Sequence, residues 1–300
     1  MTTKIYQGLA TVLSVLLVLF GSHAQAAISC SLNSSGFASA YVSTNPGINI
    51  TPTSFRVTCT RGIATDATSE TVTVRVDNGS NRSGTQNRAA SGATNKILYD
   101  NYIDAVCNTV WKNTSLSATV NMTGFTSSSS QPVMFWGCVP AGQAVPAGTY
   151  TDTVTLTPTF SNGSTIGSAI TFPVSIVTPA SCTIAVAPGN VAFGYTAFQT
   201  SAAQSNTTFS ANCTNQLPYQ LALDGTPSSG IYPGVISGLN YALSIGTSAY
   251  GAAILSTTSQ IGSGSSQTYY INGVMTSGQA GTCASASCTG SDPRSLTITY

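Results

Sequence analysis

The last six residues of the chain, Ser295-Leu296-Thr297-Ile298-Thr299-Tyr300, alternate polar and apolar side chains with the period of two that is typical of a β-strand. Residues 153–160 have the same alternating threonine and apolar character. After that stretch the chain makes a short turn and enters a second alternating run, residues 170–176, whereas nothing follows Tyr300. We therefore expect one half of the protein to contain a closing strand that the other half lacks. A sheet with such an unpaired edge invites a strand from another chain.

Further matches indicate that the two halves are related copies. Each contains a Phe-x-apolar-x-Cys-Thr run, at residues 55–60 and 209–214, and each run follows an earlier cysteine, Cys30 or Cys182, at nearly equal spacing. Short alternating runs separated by Gly, Pro, Asn and Ser clusters are typical of all-β sandwiches. The pattern predicts an all-β protein of two β-sandwich domains, of which the C-terminal one is incomplete and lacks its last strand.

The chain is expected to divide into a targeting segment and these two domains. Residues 1–26 have a positive start at Lys4, an apolar run and a small-residue cleavage motif, which together are the pattern of a secretory signal peptide. The apolar run is too short to span a bilayer, and we expect no membrane span in the mature chain. We place a self-complete N-terminal domain at residues 27–178 and a strand-accepting C-terminal domain at residues 179–300.

Composition excludes several classes of function. Loss of the signal would remove Lys4 and His23, the one histidine, and would lower Lys plus Arg from 9 to 8 against 8 acidic residues. A mature chain near zero net charge argues against nucleic-acid binding through a basic face. Catalysis that needs histidine is impossible, and the acids Asp100 and Asp104 are better explained by a polar turn beside Tyr102 than by acid–base catalysis. We expect no enzyme activity and no cofactor.

The eight cysteines indicate an oxidising compartment. We favour disulfides over a metal site, since the mature chain has no histidine and only one closely spaced cysteine pair. The pairs shared by both copies and the remaining cysteines suggest Cys30–Cys59, Cys182–Cys213, Cys107–Cys138 and Cys283–Cys288. The last two have no counterpart in the other copy, and their pairing is the less certain part of the scheme.

Both halves resemble the spore coat protein U domain family. In the second half the resemblance rests on Cys182, Phe193-Gly194-Tyr195, Phe209, Cys213-Thr214, Leu221-Ala222-Leu223-Asp224-Gly225 and Leu239-Asn240-Tyr241. In the first half it rests on Tyr99-Asp100, Trp111, residues 139–143 and residues 146–154. The resemblance implies two immunoglobulin-like β-sandwich domains, the C-terminal one incomplete. It also implies pilins of archaic, Csu-type chaperone–usher pili. A periplasmic chaperone holds the open groove of such a domain, an usher assembles the fibre, and the N-terminal strand of an adjacent pilin subunit fills the groove.

The chain departs from an ordinary pilin in two ways. In the expected mature chain only residues 27–29 precede Cys30, and three residues are too few for a donor strand. The first half also has its own closing strand, in which one face at period two would carry Ile170, Phe172, Val174 and Ile176. We therefore expect the two-domain tip adhesin of such a pilus, exported through the periplasm to the cell surface and mediating surface attachment and biofilm formation. Its strand-acceptor edge would carry Leu296, Ile298 and Tyr300.

Loops far from the C-terminus are the expected contact with an abiotic or host surface. In an immunoglobulin-like topology they include residues 61–70 and 161–167, whose most apolar members are Ile63 and Ile166. Exposed apolar side chains adhere to surfaces of low polarity by releasing water. Trp111, beside a polar turn, is a third candidate and is as readily explained by packing as by exposure. A carbohydrate-binding adhesin and a secreted spore-coat-like structural protein are the alternatives.

Overall fold

Alternating sequence produces strands throughout the computed structural model, which describes residues 28–124, 127–161, 170–285 and 287–300. The first unit contains β1 (Ser29–Ser34), β2 (Phe37–Ala40), β3 (Asn49–Thr60), β4 (Ser69–Val76), β5 (Asn87–Ser91), β6 (Asn95–Tyr102), a 3₁₀ helix (Trp111–Asn113), β7 (Leu116–Asn121), β8 (Ser128–Val139), β9 (Gly148–Phe160) and β10 (Ile170–Thr178). The second unit contains β11 (Cys182–Val186), β12 (Ala203–Cys213), β13 (Pro218–Leu223), β14 (Ile231–Ile236), β15 (Leu239–Gly246), β16 (Gln260–Ile261), β17 (Ser266–Met275) and β18 (Leu296–Thr299).

The first unit is a β-sandwich. Strands β1, β3, β8 and β6 pair in that order on one side. Strands β7, β4, β9, β10 and β2 pair in that order on the other. The β5–β6 hairpin links the two sides, since β5 also pairs with β9 at one position. The inward faces enclose a single core that extends from Leu32 to Ile176.

Aromatic rings fill the centre of that core. The ring of Phe135 lies 4.9 Å from that of Trp111 and 5.5 Å from that of Phe172, and Phe55 stacks on Trp111 at 5.3 Å. Trp111 is fully buried, and its indole N–H donates to the carbonyl of Val74 at 3.1 Å. The expectation that Trp111 could be exposed is therefore wrong, because the 3₁₀ helix turns its side chain into the sandwich.

Strand β10 closes the first unit, where the sequence placed a closing strand. It runs antiparallel to β9, from the pair Ile170–Leu156 to the pair Thr178–Gly148, and parallel to β2 on its other edge. Its inward side chains fill the space between the two sides of the sandwich, and three of them are almost completely buried: Phe172, Val174 and Ile176. The outward residue Thr171 is exposed.

The second unit repeats most of this arrangement. Strands β11, β12, β17, β15 and β14 pair in the order of β1, β3, β8, β6 and β5. Strands β16, β13 and β18 pair in the order of β7, β4 and β9. A separate core extends from Cys182 to Ile298. Two strands of the first unit, β2 and β10, have no counterpart in the described part of the second.

Each unit contains two disulfides. Cys30–Cys59 and Cys182–Cys213 join directly opposed residues of equivalent strand pairs, while Cys107–Cys138 and Cys283–Cys288 tie down loops. These are the same pairs that the internal repeat suggested. Each of the first three closes a loop of about 30 residues and can stabilise its unit by roughly 3–4 kcal/mol by restricting the unfolded chain.

We predict that Phe172→Ala destabilises the first unit by about 3–5 kcal/mol, because it leaves a cavity at the centre of the aromatic core. Thr171→Ala, its neighbour on the exposed face of β10, is the matched control and should change stability by less than about 0.5 kcal/mol. Both tryptophans, Trp111 and Trp136, belong to the first unit, so tryptophan fluorescence during urea denaturation of the full chain reports on that unit alone. Equal midpoints for the two variants would show that β10 does not close the core.

Candidate functional site

The outer edge of β18 is the candidate binding site of the second unit. Strand β18 uses its other edge to pair with β13, with Leu296 opposite Leu223 and Ile298 opposite Leu221. Within residues 287–300 and the rest of the described chain, no strand pairs with the outer edge. Leu296 and Ile298 point toward the core but are only partly buried, and the final residue, Tyr300, is 59% exposed.

The equivalent edge in the first unit, that of β9, is covered by β10. Inward residues of β9 such as Tyr150, Val154 and Leu156 are fully buried, because β10 lies beside them. In the second unit Leu296 and Ile298 of β18 and Ile184 of β11 are only partly buried. A cavity of about 210 Å³ lies at the end of β18 and is lined by Pro218, Tyr219, Gln220, Ser259, Thr299 and Tyr300. Unpaired backbone groups beside apolar side chains are what an added strand requires.

A glutamine bridge occurs at the same place in both units and confirms that they are structural repeats. The side chain of Gln143 accepts from the backbone N–H of Leu98 at 2.6 Å and donates to its carbonyl at 3.0 Å. Gln279 makes the same two bonds with Asn240, at 2.6 and 2.9 Å. Each glutamine thus ties the connection after β8 or β17 to the edge of the neighbouring hairpin.

An aspartate cap aligns β18 with β9 residue by residue. The carboxylate of Asp77 accepts from the N–H of Thr155 at 2.9 Å, and the carboxylate of Asp224 accepts from the N–H of Ser295 at 2.8 Å. Backbone N–H groups of both aspartates donate to the carbonyls of the same two partners, at 3.1 and 2.9 Å. Thr155 and Ser295 are therefore equivalent. It follows that Leu296 occupies the position that Leu156 has beside Ile170.

All three charged residues that follow residue 180 meet at the start of β18. Arg294 Nε donates to the Asp224 carboxylate at 3.1 Å, and Arg294 Nη1 lies 3.3 Å from the Tyr241 hydroxyl and 3.8 Å from Asp292. Burial, followed by the hydrogen bond to Asp292, raises the pKa of Tyr241. The backbone N–H of Ser295, followed by Arg294, lowers the pKa of Asp224. The cluster holds the first residues of β18 in register with β13.

The far end of the first unit contains the other candidate contact. Ile63 lies in the loop between β3 and β4 and is 43% exposed. The Asp66 carboxylate holds this loop by accepting from the N–H groups of Gly62 at 2.8 Å and Ile63 at 2.9 Å. Ile166 lies outside the described residues, as does the predicted signal peptide at residues 1–26.

Trp111, the tryptophan proposed as a surface contact, is the more buried of the two tryptophans. Trp111 is in the core, and Trp136 is half-buried on the outer face of β8. Directly opposite Trp136 lie Pro52 on β3 and Tyr102 on β6, so an apolar row crosses three neighbouring strands. The sequence could place Trp136 in a strand but not on its outer face.

The acids considered for catalysis are engaged in structural contacts. Asp100 forms an ion pair with Lys112 at 2.6 Å, and burial raises the pKa of this carboxyl. The Asp104 carboxylate accepts from three backbone N–H groups of its own loop, which lower its pKa. Among the described residues, no three acidic, histidine or cysteine side chains are arranged to hold a metal. None of the helices in the same residues has the length and apolarity needed to cross a membrane.

Comparison with known proteins assigns the chain to a class. The model of the Spore Coat Protein U domain matches residues 16–157 and again residues 168–287. The chain therefore belongs to the spore coat protein U domain family, and both halves carry the domain. No curated protein matches the chain.

Two solved structures with low sequence identity are similar in part. One is a complex of the CsuC chaperone with the CsuE tip adhesion subunit of archaic chaperone–usher Csu pili from Acinetobacter baumannii, with 16% identity, 91% of this chain and 100% of that chain covered, and a TM-score of 0.49. The other is the CupB6 tip adhesin of Pseudomonas aeruginosa, with 13% identity, 92% and 96% covered, and a TM-score of 0.40. Scores of this size are too low to carry a functional assignment.

We predict that Asp224→Ala loosens the start of β18, because it removes the cap of Ser295 and the partner of Arg294. Arg294 is the one tryptic site after residue 180, so trypsin cleavage behind it measures this opening directly. Cleavage should become several-fold faster in Asp224→Ala and stay at the wild-type rate in the control Thr226→Ala, which changes an exposed residue of the adjoining loop. Equal cleavage rates in all three proteins would mean that the cluster does not hold the strand.

Proposed function

We propose that this protein is the tip adhesin subunit of a chaperone–usher pilus and that it joins the fibre through its second unit. The proposal includes export through the periplasm, a periplasmic chaperone and an usher as assembly partners, and a location at the outer end of the fibre. An adjacent pilin subunit would supply an N-terminal strand to the outer edge of β18. No catalytic activity is part of the proposal.

The observation that carries the proposal is the contrast between β9 and β18. Both strands occupy the same place in equivalent sheets, and the aspartate caps align them residue by residue. One has β10 of the same chain along its outer edge, and the other has an open apolar edge in the described structure. Membership of the spore coat protein U domain family, which the resemblance connects to pilins, suggests the partner of the open edge: the donor strand of a pilin.

The arrangement of the two units supports a position at the end of the fibre. The first unit holds its own closing strand and needs none from a partner. The second unit presents the acceptor edge, so the pilus would attach there. The first unit would then face the surroundings with the loop that carries Ile63. The mature chain that we expect has no net charge, so ionic repulsion would not oppose contact with an apolar abiotic or host surface.

We predict that Ile298→Asp prevents incorporation into pili, because a charge at the inward face of the acceptor edge opposes burial beneath a donor strand. Thr297→Asp places the same charge one residue earlier on the exposed face of β18 and should permit incorporation. Immunogold electron microscopy with an antibody to the first unit measures both results. Gold should mark the fibre ends for the wild type and for Thr297→Asp, and should be lost from fibres for Ile298→Asp.

Label along the whole fibre would contradict the tip position and favour a repeating subunit. Label on a coat with no fibres would favour the spore-coat-like structural protein. Normal incorporation of Ile298→Asp would contradict the acceptor edge, whatever the place of the subunit in the fibre.

A second prediction concerns adhesion through the far loop of the first unit. Ile63→Asp should leave the number of pili unchanged and weaken attachment to plastic, because a charged loop stays hydrated. Thr65→Asp adds the same charge to the same exposed loop without removing an apolar side chain, and should weaken attachment less. Pili counted by electron microscopy are compared with biofilm mass. Unchanged biofilm for Ile63→Asp at equal piliation would exclude Ile63 as a contact.

Carbohydrate binding is the second candidate, and the row of Pro52, Trp136 and Tyr102 favours it. Aromatic rings on a flat sheet face offer stacking surfaces for the apolar faces of sugar rings. Trp136→Ala would then reduce attachment to glycan-coated surfaces, and soluble glycans would compete. Attachment to bare plastic that glycans do not inhibit would favour the apolar contact instead.

A further inference from the structure

Arg61 is a buried positive charge at the far end of the first unit. It directly follows Thr60, the last residue of β3. Side chains alternate along a strand, so continuation of β3 places Arg61 on the same side as Val57 and Cys59, which are fully buried. Arg61 itself is only 6% exposed. The guanidinium therefore lies at the end of the sandwich, against the loop that carries Ile63.

The guanidinium of Arg61 is poorly satisfied. Its Nη2 donates to the carbonyl of Ala64 at 3.3 Å. Its Nε and Nη1 are buried and have no hydrogen-bond partner in the described structure, and no described carboxylate lies within salt-bridge distance. Residues 125–126 and 162–169, which the structure does not describe, contain no aspartate or glutamate.

The two acids nearest to Arg61 along the chain are used elsewhere. Asp66 accepts from the backbone N–H groups of Gly62 and Ile63. Glu70 accepts from the backbone N–H of Ser161 at 3.1 Å and from its hydroxyl at 2.9 Å. Neither carboxylate therefore neutralises the buried guanidinium.

A buried charge without a partner is strongly unfavourable, and a guanidinium cannot avoid the cost by losing its proton. The hydrogens on Nε and Nη1 are strong donors that have no acceptor in the described structure. An oxyanion beside the guanidinium offsets the desolvation cost through its charge and forms charge-assisted hydrogen bonds. We infer that Arg61 forms an anion-binding site at the far end of the first unit, which takes a carboxylate or phosphate group of a surface ligand.

The inference goes beyond the proposed function, since it gives the chemistry of a ligand that no step of pilus assembly uses. Its biological meaning rests on the first unit facing outward, but its test needs no pilus. A failed tip assignment would leave the anion site intact, and a failed anion site would leave the tip assignment intact.

The test titrates the full exported chain with sodium acetate and, in a second arm, with sodium phosphate. Chloride keeps the ionic strength equal, and tryptophan fluorescence reports the melting midpoint of the first unit. Arg61→Met removes the charge and keeps the length of the side chain. Arg56→Met is the matched control, because Arg56 is an exposed residue of β3, the strand that Arg61 directly follows. The two arms distinguish a carboxylate ligand from a phosphate ligand.

A saturable rise of the midpoint with at least one anion is expected for the wild type and for Arg56→Met. In Arg61→Met the rise should vanish or require about tenfold more anion, which corresponds to loss of a charged hydrogen bond. Without added anion, Arg61→Met should be at least as stable as the wild type, because it no longer buries an unpaired charge. No saturable rise in the wild type, or an equal rise in Arg61→Met, would overturn the inference.

A second measurement avoids the buried substitution, in case Arg61→Met does not fold. The arginine Nε–H resonances of the wild-type chain are followed by NMR during the same titrations, and Arg56→Met assigns the control resonance. A saturable shift of the Arg61 resonance, with that of Arg56 unchanged, supports the site. An Arg61 resonance that does not respond to either anion overturns it.

Discussion

Pairing along the outer edge of one strand controls the rest of this structure. In the first unit, every residue of β10 pairs with β9, and β10 places Phe172 at the centre of the aromatic core. The same contact completes the backbone hydrogen bonds of β9 and excludes water from its inward side chains. Backbone pairing and apolar burial therefore depend on a single strand. In the second unit that strand is missing from the described residues, and both requirements remain unmet at the edge of β18.

The second unit compensates at the start of the open strand. The aspartate caps make Arg294 the equivalent of Val154, since each residue precedes its capped partner by one position. Val154 is fully buried opposite Phe172. Arg294 instead binds Asp224 and lies beside Asp292. The apolar Val154 therefore lies at the edge that β10 covers. The charged Arg294 lies at the equivalent position of the open edge, where its polar bonds fix β18.

The sequence predicted the features that depend on local periodicity and on the repeat. Period-two alternation located β9, β10 and β18, and comparison of the copies suggested the disulfide pairs that the structure contains. Features that depend on three-dimensional context were missed. Nothing near Trp111 indicates that a 3₁₀ helix turns its ring into the core, and nothing near Arg61 indicates that the arginine directly after β3 is buried. The parallel pairing of β2 with β10 joins segments far apart in sequence and has no local signal.

The contrast between the two units also has a consequence for folding. The first unit contains every strand that its sandwich requires, so it can complete its core from its own residues. The second unit, as far as the structure describes it, keeps an unpaired edge beside partly exposed leucine and isoleucine side chains, which is a known cause of aggregation. Such an edge needs to be covered while the protein is unassembled. Under the proposed function, a periplasmic chaperone that supplies a temporary strand meets this physical requirement, and a pilin that replaces it meets the same requirement permanently. The open edge that the proposed function makes the assembly site is therefore also the reason why the protein would need a partner before it is assembled.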